Sequence, residues 1–145
     1  GNYTRYKAIK AAQYVRLKSL QDSRWIEAMT AQVKRSEYFR WHDAGDVQDL
    51  DHLNKIFEVC RQTPDTKHWM PTREAWIKDH LDSKPANLVI RFSPPMMGQR
   101  NDTWPNSSMV VETGATCPAP SQGGKCGDCR QCWDSTVKLV SYGKH

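Results

Sequence analysis

This chain of 145 residues lacks several features, and each absence removes a class of protein. No apolar run approaches the ~20 residues that a membrane span requires, so no segment is read as crossing a bilayer and the protein is expected in the cytoplasm. No charged start followed by an apolar stretch marks a secretory signal. There is no internal repeat and no low-complexity tract. The length suits one domain and is too short for a complete eight-fold barrel. Hydrophobic residues are sparse at 38%, so a bound metal centre would add noticeably to stability. The chain opens at Gly1 rather than at methionine, straight into a basic helical pattern, so further residues are expected upstream.

A large excess of either charge is also missing, and the chain is mildly basic. The formal net charge is +5, which permits contact with nucleic acid without demanding it. The five cysteines do not make the even, dispersed set of a secreted disulfide scaffold, because four of them crowd into one short segment. Clustering of that kind points to metal and to a reducing compartment.

Along the chain, residues 1–36 read as a helical amino-terminal segment, 37–114 as an α/β partial barrel and 115–145 as a cysteine-cluster segment. A basic helix covers Thr4 to Leu20. In the next, Asp22 is a plausible cap, with Trp25, Ile26, Met29 and Val33 on one face. Tyr38 to Trp41 is a short aromatic strand. A helix from about Asp49 to Gln62 has Leu50, Leu53, Ile56, Phe57 and Cys60 on its apolar face and stops at Thr63-Pro64-Asp65. Lys67 to Met70 is a further strand, and Thr72 caps a helix carrying Trp76, Ile77, His80 and Leu81. Leu88 to Phe92 is the clearest strand, Met109 to Val111 the next, and Ser93 to Ser108 a long loop between them. Strand and helix alternating in this way predict an α/β fold: a partial parallel barrel or open parallel sheet with helices and right-handed crossovers.

Chemistry in such sheets gathers where the strands finish. Those ends carry His42, Asp43 and Asp46, then Thr72, Arg73 and Glu74, then Ser93, then Glu112 and Thr113. Polar residues recur there, which suggests a pocket using His42, Asp43, Asp46, Arg73 and Glu74 as acid, base or anion-binding groups. Asp43 and Asp46 would otherwise form a turn and cap the next helix, and Arg73 and Glu74 would pair on the surface. Trp41, Trp69, Trp76 and Trp104 read as core rather than stacking platforms, and Met96 and Met97 as packed under their loop or clamping a flat ligand.

The carboxy-terminal segment runs Cys117-Pro-Ala-Pro, then Gly123-Gly-Lys-Cys126-Gly-Asp-Cys129-Arg-Gln-Cys132-Trp133. Cys-x2-Cys-x2-Cys lets a tight loop wrap its sulfurs around one compact centre, with Gly123, Gly124 and Gly127 supplying the backbone angles. Cys117, Cys126, Cys129 and Cys132 are therefore the expected ligands of one metal centre. A [4Fe–4S] cluster suits three closely spaced cysteines, and zinc is the alternative. Cys60 is a core residue.

The blocks Phe39-Arg40-Trp41-His42-Asp43-Ala44-Gly45-Asp46, Thr63-Pro64, Trp69-Met70-Pro71-Thr72-Arg73-Glu74 and the cysteine segment together resemble the phage family called gene product 88, from about Tyr3 to His145. That family is itself distantly similar to radical S-adenosylmethionine enzymes. The resemblance implies a partial barrel with the His42 and Arg73 groups at its mouth and a carboxy-terminal cluster on the four cysteines. It also implies a further cysteine-rich stretch just before the point where this sequence begins, so either a leader precedes these residues or this is a shortened member without radical activity. The function expected is that of a phage metal-cluster protein with a structural or redox role. If it is an enzyme, it is of radical or redox type. The alternative is a non-catalytic basic protein that acts on nucleic acid or on a host or phage protein machine, with zinc stapling its carboxy terminus.

Overall fold

The computed structural model describes residues 22–42 and 46–144. The basic first helix and Asp43 lie outside the described residues. Strands β1 (Tyr38–Arg40), β2 (Lys67–Thr72), β3 (Leu88–Phe92), β4 (Ser107–Val111) and β5 (Leu139–Gly143) form one open sheet in the order β1-β2-β3-β4-β5, every neighbouring pair parallel. The sheet curls as a half-barrel. With helices α1 (Trp25–Val33) and α2 (Leu50–Gln62) and a 3-10 helix at Ala75–Ser83, the architecture is α/β as expected.

Helix α2 forms where the sequence predicts it. Asp49 sits in extended backbone and its carboxylate accepts the His52 N–H at 2.8 Å, while Leu53, Ile56, Phe57 and Cys60 recur at helical spacing and are all buried. Helix α1 presents Val33, Trp25, Ile26 and Met29 to the same core. Asp22 does not cap it: Arg24 is the cap residue, and the Asp22 carboxylate accepts the Arg24 N–H instead. Thr72 is the last residue of β2 rather than a helix cap. The helix after it begins at Ala75, is of 3-10 form, and has Glu74 at its cap. Strand β5 has no counterpart among the predicted strands.

Alternate residues of a strand face opposite sides of its sheet. Phe39, His68, Met70, Leu88, Ile90 and Phe92 therefore share one face, and the apolar ones among them pack against α1, α2 and Ile77. Trp69 and Val140 belong to the other face, where Cys132, Cys117, Trp133 and Tyr142 cover them. Helices thus lie on one side and the cysteine segment on the other. In a sheet whose strands follow one another in order, a connection over the opposite face has the opposite hand. The β4–β5 connection therefore departs from the uniform crossovers expected of a parallel sheet.

Candidate functional site

At the carboxyl end of β1 the chain turns sharply. His42 adopts a φ of 60°, uncommon for a residue with a Cβ. Its ring stands 5.5 Å from that of His52, and its Nε2 is buried with no hydrogen-bond partner among the described residues. Burial lowers the His42 pKa, opposed by the nearby Asp46 charge. Burial likewise pushes His52 down to about 4, with His42 adding to the effect. Both rings are therefore neutral at pH 7.

Asp46 ties two strand ends together. Its Oδ1 accepts from the Val47 N–H and the Thr72 hydroxyl, both at 2.7 Å, and its Oδ2 accepts the Arg73 N–H at 2.8 Å. It does not cap α2, which is the work of Asp49. The strand-end reasoning thus brings Asp46, Thr72 and the Arg73 backbone together, with His42 close enough to feel the carboxylate. Glu74 is turned instead to the Trp76 indole N–H at 2.9 Å. The Arg73 side chain and Glu112 are exposed, and neither makes an ion pair among the described residues.

Two buried groups escaped the sequence reading. His68 accepts the Trp41 indole N–H at Nδ1 (3.0 Å), which leaves the proton on Nε2, 2.8 Å from the Thr63 hydroxyl. That hydroxyl donates onward to the Val59 carbonyl at 2.8 Å. Burial pushes the His68 pKa down to about 4. Arg91, fully buried, is the other. A charge inside the apolar run Leu88-Val-Ile-Arg-Phe was the available signal, because such a residue must find partners. Its guanidinium donates to the backbone carbonyls of Gln131, Cys132, Asp134 and Val137 in the cysteine segment, and of Ser107 in β4.

Arg91 thereby docks the cysteine segment on the sheet. All five cysteines are free thiols, with Cys60 buried on α2 as expected. Cys132 is buried, Cys117 and Cys129 half-buried and Cys126 exposed. The Cys132 thiol is pushed up by burial, and further by the proximity of Cys117 and Cys126, against the lowering effects of the Tyr142 hydroxyl and Arg91. Two sulfurs have polar partners: Gln131 Nε2 donates to Cys129 Sγ at 3.2 Å, and Cys132 Sγ and the Tyr142 hydroxyl share a hydrogen bond at 3.1 Å. Gly123, Gly124 and Gly127 all have positive φ, as the wrap of such a loop requires. Among the described residues, no three His, Cys, Asp or Glu side chains stand close enough together to hold a metal ion. Trp41, Trp69 and Trp104 are buried as expected, whereas Met96 and Met97 are exposed at 70% and 47%, so neither packs under its loop.

A family model described as gene product 88 matches residues 1–103, more than half of the chain. The chain belongs to the gene product 88 family. The match takes in β1 to β3 with the His42, Asp46 and Arg73 positions, and it ends before Cys117. The likeness drawn from Tyr3 to His145 is accordingly narrower where a family model carries it. Membership supports a phage protein. No curated protein and no solved structure matches the chain. No helix among the described residues is long and apolar enough to cross a membrane.

Proposed function

We propose that this gene product 88 protein carries one metal centre on Cys117, Cys126, Cys129 and Cys132, with a structural or redox role in the cytoplasm of the phage's host. The observation that carries the proposal is the close sequence spacing of four free thiols on one segment. All are unpaired on one segment held against the sheet by Arg91, a buried cation with no carboxylate among its hydrogen-bond partners. Of the four thiols, Cys132 lies close enough to that guanidinium for the two to interact electrostatically, which favours its thiolate form. Four sulfurs are the donor set of a [4Fe–4S] cluster or of structural zinc, and three of them in Cys-x2-Cys-x2-Cys order favour the cluster. Because the loop carrying Cys126 is exposed, drawing the sulfurs into one shell displaces water rather than core side chains.

Radical chemistry on the distantly similar S-adenosylmethionine enzymes requires three cysteines and an open iron. With all four cysteines engaged the shell is closed, so the role is structural or redox rather than catalytic. A second reading, a basic protein binding nucleic acid or a protein machine, draws on Arg40, Lys67 and Arg130, which gather around aromatic rings.

The test is metal analysis with an absorption spectrum of protein purified without oxygen. A brown protein with broad absorption near ~400 nm that bleaches on reduction supports iron–sulfur. Colourless protein with one zinc per chain keeps the site and replaces the metal. Metal-free folded protein with all five thiols titratable overturns the proposal.

A further inference from the structure

Beside the cysteine segment, on the face away from the helices, lies an open groove of about 600 Å³ whose walls include Tyr38, Lys67, Arg130, Gln131, Trp133 and Asp134. Tyr38 and Lys67 are register partners on β1 and β2, and Arg40 and Trp69 are the next partners on the same face. The Arg130 guanidinium carbon stands 4.7 Å from the Tyr38 ring centre and 5.9 Å from that of Trp133, while the Lys67 ammonium is 5.5 Å from Tyr38. Arg40 lies 4.8 Å over Trp69. Tyr38 meets Trp133 edge to face at 5.5 Å, and Trp133 meets Trp69 at 5.3 Å. Three cations and three rings are thus gathered on one face.

Arg130 is held in place, since it donates to the carbonyls of Gly127 and Cys129. None of Arg40, Lys67 and Arg130 makes an ion pair among the described residues. Asp134, the one acid in the groove wall, has its carboxylate engaged by the Thr136 N–H and hydroxyl. Against the single carboxylate of Asp134, which acts on Lys67, the cations Arg40, Lys67 and Arg130 are in excess beside half-buried rings, and that suits a ligand with negative charge next to a flat π-face.

We infer that this groove binds a nucleotide unit of a single-stranded nucleic acid, the base stacking on Tyr38 with Trp133 standing nearly perpendicular beside it, and the phosphate meeting Lys67 and Arg130. Stacking on aromatic rings in a positively charged groove is how single strands are held without regard to sequence, and every base offers a π-face. A groove of this volume admits one such unit. Cys129, one of the proposed ligands, also lines the groove, but Tyr38 and Lys67 lie on strands outside the cysteine segment, so their variants test the groove whether or not metal binds.

The experiment is fluorescence anisotropy of a labelled dodecathymidylate with the full chain at low salt, repeated with Lys67→Glu, Tyr38→Leu and Lys78→Glu. The last changes an exposed lysine of the 3-10 helix and controls for net charge. Salt-dependent binding weakened about tenfold or more by Lys67→Glu and by Tyr38→Leu, with Lys78→Glu close to the unaltered protein, is the expected result. Thymidine monophosphate competing as well as the strand, per nucleotide, keeps the chemistry and makes a free nucleotide the source. No binding at low salt overturns the inference, as does equal weakening by Lys67→Glu and Lys78→Glu. Circular dichroism checks folding, and if Tyr38→Leu fails to fold, the pair of lysine variants still decides.

Discussion

Arg91 and Cys132 stand 41 residues apart in sequence, yet the Arg91 Nε donates to the Cys132 carbonyl at 3.0 Å from the buried face of a central strand. One side chain thereby supplies partners for carbonyls on both sides of that contact. Replacing Arg91 by Lys puts a three-donor point charge where a planar fork bridges five carbonyls. Urea unfolding of Arg91→Lys is expected to show a loss of about 2–4 kcal/mol, and a loss below about 1 kcal/mol would refute the clamp.

Asp46 and Asp49 invite a direct comparison. Asp46→Asn places an amide N–H₂ where one of the two oxygens now accepts from a backbone N–H, so a donor faces a donor. The expected cost is about 1–3 kcal/mol. Asp49→Asn leaves a capping oxygen and should cost only a few tenths. Equal melting temperatures for the two variants would contradict the bridging role of Asp46.

Acid should weaken the fold through its buried imidazoles. His68 and His52 have folded pKa values of about 4, below the ~6.5 of an exposed ring. From pH 6.5 downward the unfolded chain takes up protons that the folded one refuses, so stability falls until about pH 4 and is level above pH 6.5. Each ring adds a slope of up to ~1.4 kcal/mol per pH unit. His68→Phe removes one of the two slopes and lowers stability at neutral pH by about 1–3 kcal/mol, because the Trp41 N–H loses its acceptor. Urea midpoints measured across this pH range check both effects.

Thiol reactivity should separate Cys60 from the cluster. Burial pushes Cys60 up to about 12, so its thiolate is scarce at pH 8, whereas Cys126 is exposed. Mass spectrometry after brief alkylation should find Cys126 modified first and Cys60 last. On the proposed ligand set, zinc slows the four clustered thiols together and leaves Cys60 as it was. Protection of Cys60 by zinc would put it among the ligands.

Helix α2 and strand β3 were legible because each carries its own signal: a 3.6-residue apolar stripe that ends at Thr63-Pro64-Asp65, and an apolar run of strand length; the cap itself is Asp49 rather than Asp43 or Asp46. The 3-10 form of Ala75–Ser83 was not, since 3-10 and α-helices space their apolar residues alike over two turns. Strand β5 was missed because Ser141 interrupts its apolar text, and that serine finds partners in Thr116 and in the Cys117 N–H, more than 20 residues away in sequence. The strand-end rule pointed to Asp46, but its acceptance of the Thr72 hydroxyl and Arg73 N–H depends on register that no spacing encodes. The groove was invisible for the same reason, as Tyr38 and Lys67 become neighbours only through the pairing of β1 with β2.

Strands β3 and β4 share the single pair Phe92 and Ser107, while β2–β3 and β4–β5 are each paired along five positions. The sheet therefore has a seam, and the family match stops at residue 103, just short of its far side. Segments joined by so few ladder bonds open separately, and amide exchange would register them as two cooperative units rather than one. Arg91, which grips both β4 and the cysteine segment, is the rivet across that seam. The half that holds the cysteines can then loosen while the half that holds His42 and Asp46 stays folded.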